Sequence, residues 1–401
     1  MKPEVHQVLA TLSYGDAIGN EVLAIQRVLC EAGFRSEIFV GTADARLEHL
    51  TRDYRDLPAF SRPDHVLIHH FSLGSRASRI AFALPDRMVL VYHNVTPPEY
   101  FVDIHPLLVR ECYRGRRELS AYAKRCDLGL GDSEFNRQEL VEMGFPDTGV
   151  LPVVPGFAHL DVPPDRRLLG EFDDELTNVV FVGRLVPNKR IDDVIRIFAA
   201  YQRFFNPRSR LLIVGSQAGF ERYYTLLQSL VARLGVQRVH MLGHVTNNEL
   251  AACYDMADAF LCASEHEGFC VPLVEAFWKG VPVLAYAAAA VPATMDGAGV
   301  LFTTKDPYEV ASLLNEVASN APLREAIVDA QDQALARLMA HDFRGTLLGF
   351  VERFLSSPPR ARHLVSEDFW EQVDATERYE ELLAYRPALG HALPKEPTKI
   401  V

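Results

Sequence analysis

The segment Glu265-His266-Glu267-Gly268-Phe269-Cys270-Val271 leads into Pro272, then Leu273, Glu275, Ala276 and Phe277, and ends at Gly280. Proline is tolerated in a first helical turn, and glycine closes helices at the other end. A helix starting here turns free backbone N–H groups and the positive end of its dipole toward an anion. Gly268 lets a ligand approach the backbone closely. Glu267 before the helix and Glu275 within it can hold two hydroxyls of one ligand while the amides hold its phosphate. The structural alternative has Glu267 capping the helix and Glu275 solvated on its surface.

A second charged loop, Gly183-Arg184-Leu185-Val186-Pro187-Asn188-Lys189-Arg190, follows the apolar run 179–182. Arg184 can hold phosphate oxygens bidentately, and Lys189 adds a point charge; a solvated turn is the plainer reading. Run 211–214 ends at Gly215-Ser216. Run 239–242 ends at Gly243-His244, ahead of a capping box Thr246-x-x-Glu249. Each turn alone says little, but their repetition at successive strand ends points to one crevice. In the first half, Gly15-Asp16-Ala17-Ile18-Gly19-Asn20 joins strand to helix. It could cradle a phosphate, yet it is not the GxGxxG dinucleotide fingerprint. Run 88–92 ends at His93, a potential donor or proton relay, although a lone histidine is more often structural.

Short apolar runs alternating with amphipathic helices must position these loops. Strand-like runs at 5–12, 36–40, 65–69, 88–92 and 128–131 alternate with helical stretches, including 20–32 and 109–124. A second alternation runs from 179 to 285. The pattern predicts α/β architecture, with two doubly wound parallel sheets whose strand-end loops face a cleft. The expected divisions are residues 1–160, a Pro- and acid-rich linker 161–177, residues 178–345, and a tail 346–401 with helical pattern at 343–354 and 367–385.

At about 150 residues per domain, 401 residues imply two domains. Hydrophobic residues are 48% and charged residues 23%, which is globular composition. A net charge of −12 argues against a general nucleic-acid binder. The six cysteines form no CxxC pair, so neither a disulfide framework nor a zinc site is expected, and no metal ligand set stands out. HExxH, GxSxG and the P-loop motif are absent. No transmembrane run and no signal-peptide pattern is visible, so a cytoplasmic setting is expected. Arg110, Arg114, Arg116, Arg117, Lys124 and Arg125 fall on one helix, but Glu111 and Glu118 interrupt them. A solvated face is preferred there, with weak peripheral membrane contact as the alternative.

Together these segments resemble glycosyltransferase family 4, retaining enzymes of the GT-B fold. EGFCVPLVEAFWKGVPVLA is similar to the family's Glu-x7-Glu signature, and VVFVGRLVPNKRIDDVI to its phosphate-binding strand and loop. SYGDAIGN and VYHNVTPPEY resemble its glycine loop and acceptor-side histidine. The resemblance covers about residues 5–345. It implies that Arg184 and Lys189 bind the donor diphosphate and Glu275 the ribose. It further implies that Glu267 and the backbone of Gly268, Phe269, Cys270 and Val271 hold the donor sugar and distal phosphate. Gly215 would border the nucleoside, Gly19 would approach the diphosphate, and His93 would act near the reacting carbon. The implied reaction is metal-independent and needs no cofactor beyond its donor substrate. It moves a sugar from a nucleotide-diphosphate sugar to a hydroxyl of a saccharide, lipid-linked or small-molecule acceptor, with retention, and C-terminal helices are expected to cross back to the first domain. The alternatives are another GT-B reaction, epimerisation or phosphorolysis, and a two-lobed protein that binds without chemistry. This chain departs from the family at Cys270, where a glycine is usual, and in the bland run Ala289–Ala293.

Overall fold

The computed structural model describes residues 3–153, 156–172, 174–358 and 388. The first domain holds β1 (Val5–Leu12), β2 (Ile38–Ala43), β3 (Thr51–Asp53), β4 (Val66–Phe71), β5 (Arg87–Tyr92), β6 (Leu128–Gly131) and β7 (Thr148–Val150). They form one parallel sheet in the order β3-β2-β1-β4-β5-β6-β7. The second domain holds β8 (Thr177–Val182), β9 (Ser209–Val214), β10 (Val239–Gly243), β11 (Ala259–Cys262), β12 (Val283–Tyr286) and β13 (Val300–Phe302). Their order is β10-β9-β8-β11-β12-β13, again all parallel. Strands β4, β5 and β9 are buried along their whole length, as continuous apolar runs under helices on both faces must be.

Strand order reverses between β1 and β4 in one sheet and between β8 and β11 in the other. Loops at such a switch point diverge to opposite faces and leave a crevice beyond the strand ends. The two loops singled out for their charges leave β8 and β11, the two strands that flank the second switch point.

One boundary differs from the sequence reading, and one expectation at the C-terminal end is met. The segment 161–177 is not a bare linker: Arg166–Glu171 is a helix capped by Asp165. Leu168 and Phe172 bury against Phe157, Leu160 and the second domain's core, and Asp165 N–H donates to Asn248 O at 2.9 Å. The helix Phe343–Ser356 crosses back to the first domain. Its Leu347, Val351 and Phe354 pack on Val5, Ile25, Val66, Val89 and Leu128, and Arg353 pairs with Asp147 at 3.1 Å. The helical pattern at 367–385 lies outside the described residues.

The basic helix is Pro106–Arg125, and its charges are largely committed. Arg125 is buried and donates to the carbonyls of Phe82, Leu84 and Asp86. Arg116 pairs with Glu139 at 2.9 Å, and Arg110 with Glu111 at 2.8 Å. No helix among the described residues is long and apolar enough to cross a membrane.

Candidate active site

A cavity of about 410 Å³ opens where the two domains face each other. Arg184, Gly215, Val271, Pro272 and Glu275 line it from the second domain, and Gly15, Ala17 and Asn20 from the first. Arg184 is exposed, with its guanidinium 5.8 Å from the Phe220 ring centre. Among the described residues no carboxylate pairs with it. Gly215 is required sterically: a Cβ there would lie 1.9 Å from the Gly183 carbonyl oxygen, at φ +147°. That close approach brings the ends of β8 and β9 together under the cavity.

Glu275 is buried, not solvated as one reading allowed. Tyr254 OH donates to its Oε2 at 2.9 Å, and His159 Nε2 sits 2.8 Å from Oε1. The hydrogen bond to Glu275 raises His159 above its ordinary pKa, against the opposing effect of burial. Burial and the Glu275 charge push Tyr254 up, so it stays a phenol and a donor. Each carboxylate oxygen keeps a lone pair for a ligand hydroxyl. Sequence reasoning missed both partners. His159 stands in an irregular Pro/Gly-containing stretch, and Tyr254 at the end of an ordinary amphipathic helix, so neither carries a local signal.

Lys189, Glu267, Gly268, Phe269 and Cys270 lie beside this cavity without lining it. Lys189 Nζ meets Glu267 Oε1 and Oε2 at 2.6 and 2.8 Å. Burial alone would lower the lysine pKa, but the Glu267 charge outweighs it and keeps the ammonium charged. The pair uses two of the ammonium's three N–H donors. Asn188 Nδ2 donates to His266 O at 2.9 Å, which fastens the β8 loop to the β11 loop. Phe269 O accepts from Thr294 Oγ1. A Cβ on Gly268 would come within 3.0 Å of Asn94 Cβ and 3.2 Å of Asn136 Nδ2, so this glycine is one of the places where the domains touch. Cys270 is the N-cap of the helix Val271–Trp278, with φ +73° and no capping bond from its side chain. The left-handed backbone explains why glycine suits this position better.

The first domain treats its charges differently. The helix Ala17–Glu31 begins inside the segment read as a glycine loop. Gly19 therefore sits in its first turn, where its N–H bonds Asp16 Oδ1 at 2.6 Å. A Cβ on Gly19 would lie 2.2 Å from Ser13 O. His93 is sealed: its side chain is 1% exposed, and neighbouring polar groups occupy both ring nitrogens. Gln7 Nε2 donates to Val22 O, so Gln7 Oε1 accepts from His70 Nε2 at 2.9 Å. His70 Nδ1 must then accept from His93 Nε2, also at 2.9 Å. This leaves His93 Nδ1 facing Asp132 at 3.2 Å and Glu21 at 3.7 Å. Burial opposes a charge on His93, but Asp132, Glu21 and Asp16 together hold its pKa up to about 9. Burial and the Asp132 charge raise Glu21, whose oxygens have no hydrogen-bond partner among the described residues.

Anabaena HepE, solved in complex with UDP-glucose, superposes with a TM-score of 0.67 at 17% identity, covering 87% of this chain and 99% of that one. Sucrose-phosphate synthase from Thermosynechococcus elongatus superposes with a TM-score of 0.66 at 15% identity, covering 88% and 99%. The fold is GT-B. Within this GT-B chain, residues 169–333 match the family described as glycosyl transferases group 1. A D-inositol 3-phosphate glycosyltransferase of Actinosynnema mirum is 36% identical over 226 residues, 53% of each chain. The chain spans about half the length of the curated relatives it matches. The matched segment contains Arg184, Lys189, Glu267 and Glu275, but neither His93 nor Gly19.

Proposed function

We propose that this GT-B chain transfers a sugar from a nucleotide-diphosphate sugar to an acceptor hydroxyl, with retention and without a metal ion. One observation carries the reading: Arg184, without a carboxylate partner among the described residues, shares a strand-end cavity with the buried carboxylate of Glu275. Arg184 takes the diphosphate, with the N-terminus of the helix Val271–Trp278 and the remaining N–H of Lys189 beside it. These fixed positive groups stabilise the departing anion, the role a metal ion plays in other transferases. Glu275 accepts from ribose hydroxyls, and Gly215 lets the nucleoside lie close to β9.

Glu267 keeps Lys189 charged and oriented, and its free lone pairs accept from donor-sugar hydroxyls near the backbone of Gly268, Phe269, Cys270 and Val271. The first turn at Gly19 closes on the diphosphate from the opposite domain. His93, with both nitrogens taken, acts as a positioning residue under the acceptor side. The acceptor is a saccharide, a lipid-linked sugar or a small molecule; the Anabaena neighbour's UDP-glucose supports a nucleotide sugar as donor. Epimerisation and phosphorolysis would use the same donor cavity and are separated by product.

The test is incubation of labelled nucleotide sugars with an acceptor panel, with and without EDTA, and anomeric assignment of products by NMR. The expected result is acceptor-dependent nucleotide release and a product of the donor's anomeric configuration, unchanged by EDTA. An inverted product, an isomerised sugar formed without acceptor, or a donor left intact throughout contradicts the proposal.

A further inference from the structure

We propose that Glu21, His93 and Asp132 form a buried binding site for one divalent transition-metal ion of the zinc type. Each offers one ligand atom, and the three atoms lie within 4.8 Å of one another. Glu21 comes from the helix Ala17–Glu31, His93 follows β5 and Asp132 follows β6. The fold assembles the set, so sequence spacing does not show it.

The geometry suits an ion. His93 Nδ1 stands 3.2 Å from Asp132 and 3.7 Å from Glu21 Oε2. Two atoms each about 2.1 Å from one zinc ion stand about 3.4 Å apart at a tetrahedral angle, and the two separations bracket that value. Glu21 is 1% exposed, yet both its oxygens lack a hydrogen-bond partner among the described residues, as does Asp132 Oδ1. Unmatched oxygens are costly in a buried place. Among the described residues neither carboxylate pairs with an arginine or a lysine. A dication balances both carboxylates at once.

The residues behind the cluster fix its nitrogen donor. His93 Nε2 donates to His70 Nδ1, and His70 Nε2 to Gln7 Oε1, each at 2.9 Å. Gln7 Nε2 in turn donates to Val22 O at 3.1 Å. Nδ1 is therefore the ring atom that faces the carboxylates, held as outer partners hold a metal-ligating histidine. One imidazole nitrogen with two carboxylate oxygens suits zinc better than calcium or a thiol-seeking ion. In the metal-free chain a proton on Nδ1 fills the slot, and the ion displaces it. Asp132 keeps 8% of its side chain exposed, which gives the ion its entry.

A second group with ligand-like spacing, Glu4, His6 and His65, is already committed. Glu4 Oε1 holds Arg35 at 3.2 Å, His6 Nδ1 accepts from Glu37 N–H at 3.2 Å, and His65 Nδ1 meets Phe60 O at 3.0 Å. None of Glu21, His93 and Asp132 lines the donor cavity. The ion is thus a strut that joins the first helix to the turns after β5 and β6, apart from the diphosphate.

The experiment strips the full chain with EDTA, removes the chelator, and titrates zinc chloride in competition with a chromophoric zinc chelator. Thermal melts and X-ray absorption of the zinc-loaded native chain follow. The expected result is one zinc per chain, a raised melting temperature, and a shell of nitrogen and oxygen atoms that includes one imidazole. Losing even an outer-shell partner typically costs about 10–100-fold in metal affinity. Glu21→Gln and Asp132→Asn should therefore each weaken zinc binding at least about tenfold, while Glu4→Gln stays within about twofold. Less than one zinc per chain, a shell with sulfur or with two imidazoles, or equal affinity in the native chain and both carboxylate variants would overturn the site. The absorption measurement uses the native chain, so it decides even where a variant fails to fold. No readout uses transfer, so the outcome is independent of the transfer reading.

Discussion

The two domains share one architecture and use charge in opposite ways. At the strand ends of the second domain, Arg184 has no carboxylate partner among the described residues beside an open cavity, and Glu275 is buried at its wall. At the strand ends of the first, His93, Asp132, Glu21 and His70 turn inward and satisfy or shield one another. An uncompensated cation in a crevice is available to a ligand anion. A buried cluster around one histidine fixes a proton and a backbone instead. On the proposed reading, the second domain holds the ligand and the first presents a firm wall to it.

The largest effect that distinguishes the two is at Arg184. Removing a preorganised donor to a leaving anion typically costs about 3–4 kcal/mol, or roughly 10²–10³ in rate. Arg184→Ala should show a loss of that size in kcat/KM with an unchanged melting temperature, because the side chain is exposed. Glu275→Ala should weaken nucleotide binding and also cost about 1–3 kcal/mol of stability in chemical denaturation, since Tyr254 and His159 lose their common acceptor.

The first domain should answer to pH. The His93 pKa is raised from 6.5 to about 9, and that of Glu21 is raised also, so the folded state binds protons that the unfolded state releases. Stability therefore falls as pH rises, fully present below about 6.5 for His93 and lost through about 9, by up to roughly 1.4 kcal/mol per pH unit per proton. His93→Gln should flatten that slope. An equal slope in both proteins would remove the buried cation from the account. The smallest effect belongs to Lys124→Ala, at an exposed position on the basic helix: transfer should stay within about twofold.

The same contrast decides what the sequence made readable. Arg184, Lys189, Glu267 and Glu275 stand in contiguous segments that pair an apolar strand with a charged turn, so spacing marked them as candidates and the family resemblance supplied their expected roles. The strand alternation was equally legible, because parallel strands buried on both faces read as apolar runs. The three-residue strands β3, β7 and β13 are too short to leave a period. The helix start at Ala17 was obscured by Gly15 and Gly19, which suggest a loop although Asp16 caps a helix. The His93 cluster assembles residues from β1, β4, the first helix and the turns after β5 and β6, and no local pattern announces such a meeting. The Lys189–Glu267 pair was equally hidden, since its members are 78 residues apart.

The most direct test of the central claim is calorimetric titration of the full chain with uridine, adenosine, guanosine and cytidine diphosphates, repeated on Arg184→Ala. The account predicts that one nucleoside diphosphate binds the native protein at a single site and that Arg184→Ala weakens it at least about tenfold. Equal affinity in the two proteins, or no binding of any of the four to the native chain, would contradict it.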